Sequence, residues 1–93
     1  MNDHTIARLK HLREAAESAC KLANEHRAEL PNSRVNWGDL HCYDAEHRLD
    51  ADGYEYDCVM LEDASPDNPV IRQFIRDALD KAGFPLVEVE TKW

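Results

Sequence analysis

The sequence predicts an α+β domain with its elements in the order α-β-β-α-β. Apolar residues recur at helical spacing over residues 3–30 and again over 67–82. They alternate with a period of two over 35–63 and 86–92, and an Asp52-Gly53 step divides the longer alternating run. The 93 residues suffice for a single small domain. Sequence repeats, low-complexity tracts and interior linkers are absent.

The first helix, over residues 3–30, places Leu9, Leu12, Ala16, Ala19, Cys20, Ala23 and Leu30 on one stripe. Lys10, Glu14, Glu17, Lys21 and Glu25 fall on the opposite side, where Lys10–Glu14, Arg13–Glu17 and Glu17–Lys21 have i,i+4 spacing. Asp3 or Thr5 is expected to cap its start, and Pro31 to stop it. The stripe is rich in alanine, so the helix can lie close to what it covers. The first strand follows from residue 35, with Val35, Trp37, His41, Tyr43, Ala45, His47 and Leu49 on one face. Asp52-Gly53 signals a two-residue type I′ hairpin turn, in which both central residues need positive φ. Pairing Leu49 with Tyr54 or Tyr56 then puts Tyr54, Tyr56, Cys58 and Met60 on the same face. Ser65-Pro66 and Asn68-Pro69 are overlapping helix-start signals, and Gly83 stands where a C-terminal cap belongs. The final strand, 86–92, carries Val87, Val89 and Thr91 on one face, and Trp93 continues that face to close the core.

Both helices are expected on one face of a three-stranded sheet. Strand three beside strand one gives the order 2-1-3 and a fully antiparallel sheet, which is the expected arrangement. Strand three beside strand two would make a parallel pair with a right-handed crossover. A helix of about 28 residues spans roughly 40 Å, whereas strands of about eight residues reach about 27 Å. The resulting overhang suggests a homodimer through the N-terminal helix.

The charge is concentrated. The formal net charge is −8, and residues 35–67 carry ten Asp/Glu against Arg48 alone, while the flanking thirds nearly balance. Such a field repels phosphate backbones and anionic headgroups, so neither nucleic acid nor membrane is an expected partner. No apolar run approaches the length of a membrane span. The N-terminal residues MNDHTIARLKHLREAAESA carry charge throughout, so no signal peptide is expected. Three cysteines, Cys20, Cys42 and Cys58, are too few and too irregular for a disulfide framework. A cytoplasmic protein with reduced thiols is expected.

The segment DAEHRLDADGYEYD, residues 44–57, gathers six carboxylates. As an EF-hand-like loop it fails at two ligand positions: with Gly53 aligned, Arg48 takes the first and Val59 the twelfth. A zinc site would draw on His41, Cys42, Asp44, His47 and Cys58, yet His41 and Cys42 point to opposite faces of a strand. His41 and His47 stand roughly 20 Å apart. His47 and Cys58 are the one pair expected to meet across the hairpin, and they define the alternative reading, a metal-dependent or thiol enzyme. Nearby carboxylates raise a thiol pKa, which disfavours a reactive Cys58. Glu62, Asp63 and Asp67 precede the second helix and compete for its anion-attracting end. No cofactor is expected.

The favoured reading is therefore a small non-enzymatic interaction or regulatory module that meets a basic protein partner. Its expected binding residues are Asp44, Glu46, Asp50, Asp52, Glu55 and Asp57 together with Tyr54 and Tyr56. A compact acidic chain of this kind is also what a phage or mobile element could encode as an inhibitor.

Overall fold

The computed structural model describes residues 2–30, 37–66 and 68–93. Helix α1 (Asp3–Glu25) leads through a single 3₁₀ turn, Arg27–Glu29, towards strand β1 (Trp37–Leu49). Strand β2 (Glu55–Ala64), helix α2 (Pro69–Lys81) and strand β3 (Glu88–Lys92) complete the α-β-β-α-β order. Val35, Pro31 and Asp67, which the sequence assigns to the first strand, the first helix stop and the second helix start, lie outside the described residues.

Both helices pack on one face of the sheet. Leu12, Ala16, Ala19, Cys20 and Ala23 of α1 and Ile71, Ile75 and Leu79 of α2 meet Leu40, Cys42, Val59, Leu61, Val87 and Val89 beneath them. The alanine stripe is thus the contact face of α1, as its spacing predicts. Asn2, rather than Asp3 or Thr5, caps α1: its side chain accepts from the Thr5 N–H at 2.8 Å. Asn68 caps α2 in the same way through the Ile71 N–H, with Pro69 in the first turn. Gly83, φ +93°, follows the last turn in the left-handed conformation that a C-terminal cap needs. Trp93 does not close the core. It lies past the end of β3 and is 64% exposed.

The sheet order is β1-β2-β3, with β1 and β2 antiparallel and β2 and β3 parallel, in place of the antiparallel 2-1-3 order. The free edge of β1 shows the physical reason. Asn24 of α1 both donates to the Leu40 carbonyl at 3.0 Å and accepts from the Leu40 N–H at 2.9 Å. Glu17 accepts from the Cys42 N–H at 2.9 Å, and Arg27 donates to the Trp37 and Gly38 carbonyls. These side chains occupy the positions that another strand would need. β3 therefore joins the open side of β2.

The hairpin turn is one residue longer than a two-residue turn. The Asp50 N–H donates to the Tyr54 carbonyl, the Gly53 N–H donates to the Asp50 carbonyl, and Gly53 has φ +84°. Asp52 is not in the positive-φ region, so the turn is a three-residue loop rather than type I′. Leu49 consequently pairs with Glu55, not with Tyr54 or Tyr56. That single step moves the neighbouring side chains to opposite faces. Along β1 a bulge at Tyr43, between the Cys42–Leu61 and Asp44–Met60 pairs, reverses the alternation again. Leu40 and Cys42 face the helices before the bulge, and Ala45 and His47 do so after it.

The homodimer expectation rests on a long helix over short strands. Here α1 has 23 residues and β1 has 13, so the helix at about 35 Å does not outrun the strand at about 43 Å. The length mismatch behind that expectation does not hold between α1 and β1.

The edge contacts predict the behaviour of Asn24. Asn24→Ala removes the partners of both the Leu40 N–H and the Leu40 carbonyl, and we expect a stability loss of about 2 kcal/mol, measured by urea unfolding. An unchanged midpoint would show that the α1 side chains do not secure this edge.

Candidate functional site

The register distributes the six hairpin carboxylates over three places. Asp44 and Glu46 lie on the sheet face away from the helices, with Cys58 and Met60. Asp50 and Asp52 stand at the exposed tip. Glu55 and Asp57 lie on the helix side, where Asp57 pairs with His47. Arg8 of α1 grips Asp57 with two hydrogen bonds, Nε to Oδ2 at 3.0 Å and Nη2 to Oδ1 at 3.1 Å. His47 Nδ1 adds a third at 2.9 Å and must carry the proton there, since a carboxylate only accepts. Asp57 is only 18% exposed. Burial raises its pKa, but the bonds from Arg8 and His47 outweigh burial and hold it below the usual carboxylate range. This carboxylate anchors the hairpin to α1.

His47 and Cys58 do not meet. His47 pairs with Asp57 on the helix side, and Cys58 pairs with Glu46 on the other face. The shift from the expected register accounts for this separation. Cys58 is buried, and burial, followed by the Glu90 carboxylate, pushes its thiol up to about 11 against the pull of Arg48. Burial also pushes Cys42 up to about 11 and raises Cys20 further, and all three cysteines are free. Among the described residues, no three His, Cys, Asp or Glu side chains group to hold a metal ion, and no helix is long and apolar enough to cross a membrane.

On the face away from the helices, Arg48 does what a covering helix would do. Its Nε donates to Glu46 at 3.1 Å, its Nη1 binds Glu90 of β3, and its Nη2 approaches the Met60 sulfur at 3.7 Å. The guanidinium is clamped over Met60 beside the buried Cys58, and its pKa is raised by the hydrogen bonds it donates to Glu90 and then to Glu46. At the other end of this face, Lys92 lies 4.5 Å above the Tyr43 ring and 3.7 Å from Glu62, which also meets His41 at 3.1 Å. The parallel β3 brings Glu88 and Glu90 beside Cys58 and Met60.

A cleft of about 670 Å³ lies between the hairpin tip, the last turns of α2 and the entry to β3. Its apolar walls are Tyr54, Tyr56, Phe84, Leu86 and Val87, and the two tyrosine rings stack at 6.5 Å. Asp50, Asp77, Asp80, Glu88 and Glu90 surround it, with Arg76 as its single cation. Arg76 is already bound to Glu88 at 2.9 Å, and Glu90 to Arg48. Asp50, Asp77 and Asp80 have no cationic partner among the described residues. The cleft exists because β3 starts late. Glu88 pairs with Cys58, so the β2 segment from Glu55 to Asp57 is paired on the β1 side only. Leu86 has φ +63°, which takes the chain out of extended geometry before it can reach that segment. A left-handed non-glycine residue costs about 1–2 kcal/mol. Leu86 is nevertheless 84% exposed.

Sequence patterns single out Asp50, Tyr54 and Tyr56 of this cleft and miss Asp77, Asp80 and Leu86. The i,i+3 spacing of Asp77 and Asp80 marks them as neighbours on one helix face, but where that face lies depends on the β3 position. Compared with protein-family models, curated proteins and solved structures, the chain finds no match in any of the three.

Two outcomes follow. Arg8→Ala should destabilise the fold by about 1–2 kcal/mol at pH 7. The depressed Asp57 pKa supplies stability that is full above the ordinary carboxyl value near 4 and is lost as pH falls through the depressed value. The gap between variant and parent should therefore narrow in acid, as urea unfolding over pH 2–7 would register; a gap independent of pH would remove Asp57 from this role. All three thiols should resist iodoacetamide at pH 8 and react rapidly once urea unfolds the chain. Fast native labelling of Cys58 would contradict its burial.

Proposed function

We propose that the protein is a non-enzymatic binding module that meets a basic protein partner through its acidic hairpin. The residues this reading draws on are Asp44, Glu46, Asp50, Asp52, Glu55 and Asp57, with Tyr54 and Tyr56. The observation that carries this reading is the hairpin tip. Leu49 is 65% and Tyr54 59% exposed, and they stand among the exposed Asp50, Asp52 and Glu55. Apolar side chains held in water beside uncompensated charge are what a partner can cover and neutralise in one step. Asp44, Glu46 and Asp57 are more engaged within the fold, so their part is to set the field rather than to touch. The concentrated negative potential speeds encounter with a cationic surface and disfavours nucleic acid and anionic membranes. Three free cysteines are in keeping with a reducing, cytoplasmic setting.

The test is affinity capture from source-cell lysate with stepwise salt elution. A basic partner should leave at moderate salt, since exposed charge pairs are screened. The triple variant Asp50→Lys, Asp52→Lys, Glu55→Lys should weaken its affinity by about tenfold or more. Unchanged affinity in that variant, or capture indifferent to salt, would refute the acidic-hairpin reading.

A further inference from the structure

The proposed function leaves open what the cleft behind the hairpin tip receives. We infer that it seats an extended basic segment of the partner, with an apolar side chain on the Tyr54–Leu86 wall and an arginine or lysine directed to Asp77 and Asp80. The inference rests on the binding reading and deepens it.

Three features of the cleft select this occupant. Its walls are apolar and aromatic, so they favour a ligand with hydrocarbon surface rather than a free inorganic cation. Its rim is acidic, and the internal cation is spent: Arg76 is bound to Glu88, while Asp50, Asp77 and Asp80 are left without a cationic partner among the described residues. An incoming guanidinium or ammonium supplies the missing charge. Finally, the cleft borders the Glu55–Asp57 stretch of β2, which pairs with β1 alone. An extended peptide fits beside such a stretch, where alternate side chains point to the same wall. A cationic side chain reaching across an aromatic pair also gains from the ring faces.

The experiment uses the full-length ¹⁵N-labelled protein and two blocked hexapeptides of equal charge, one alternating Arg and Leu, the other alternating Lys and Gly. Amide shifts are followed by titration. The Arg–Leu peptide should move the amides of Arg76–Asp80 and Leu86–Glu88 together with those of Tyr54–Tyr56, and should bind about tenfold more tightly than the Lys–Gly peptide. Asp77→Lys with Asp80→Lys should weaken the Arg–Leu peptide by about tenfold. Leu86→Gly is the variant that separates binding from folding. It relieves the positive φ, so its thermal midpoint should stay level or rise, while the Arg–Leu affinity falls. Equal affinity for the two peptides, or full affinity in Leu86→Gly, would overturn the cleft assignment. Shifts confined to Asp50–Glu55 would overturn it too, and would leave the hairpin reading standing. Shifts at the cleft that survive the triple hairpin reversal would support the cleft and count against the hairpin as the main contact.

Discussion

The arrangement of this domain depends on the register of the β1–β2 hairpin, and that register depends on a three-residue loop. Asp50 accepts through its carboxylate from the Asp52 and Tyr54 N–H groups while its backbone closes the loop with Gly53 and Tyr54. Gly53 supplies the left-handed residue at the end of the loop. Because side chains alternate along a strand, one residue more or less in this loop exchanges the two faces of the hairpin near its tip. The observed length puts Asp57 under Arg8, Val59 and Leu61 under the helices, and Cys58 and Met60 on the far side. The bulge at Tyr43 then brings Leu40 and Cys42 back to the helix face, so the long strand β1 feeds the core at both ends.

Helix α1 has two tasks on this frame. Its alanine stripe allows a close approach to the sheet, and the polar side chains beside the stripe complete the backbone hydrogen bonding of β1. An edge closed in this way neither recruits a strand from the same chain nor offers itself to another copy over Trp37–Cys42. With the Trp37–Cys42 stretch of β1 occupied by α1 side chains, the chain after α2 pairs with β2, and the parallel β2–β3 pair follows. On that side Thr91 ties β3 to the turn before α2 by donating to the Ser65 carbonyl at 2.7 Å.

The electrostatics sort into spent and unspent charge. Arg8, Arg48 and Arg76 each neutralise carboxylates within the fold, and Arg48 also shields apolar atoms on a face with no helix. Among the carboxylates without a cationic partner in the described residues, Asp50, Asp52, Asp77 and Asp80 lie at the hairpin tip and on the outer turns of α2, next to the most exposed apolar side chains of the region, Leu49, Tyr54 and Leu86. A domain with net charge −8 needs no further acid for solubility at one corner. The coincidence of uncompensated charge, exposed hydrocarbon and a left-handed leucine at that corner is what the proposed binding role explains.

Much of the architecture is local and was legible residue by residue. The 3.6 period of Leu12, Ala16, Ala19, Cys20 and Ala23, the Asn68-Pro69 start, Gly83 at the helix end and the Val87–Val89–Thr91 alternation each act through neighbours a few positions away, so sequence alone determined the element order and the inward faces of both helices and β3. The hairpin was legible as a hairpin, but not its register, because Asp-Gly serves both a two-residue turn and the end of a three-residue loop. Which edge receives β3 was decided by contacts 16 and 25 residues apart in the chain, Asn24 with Leu40 and Glu17 with Cys42, and no short window contains them. The separation of His47 from Cys58, the clamp of Arg48 between Glu46 and Glu90, and the cleft shared by Tyr54, Asp80 and Leu86 follow from those two decisions. Sequence determined which residues are acidic, aromatic or apolar; the tertiary structure alone decided which of them share a face, because register and strand order are long-range pairings that local pattern leaves open.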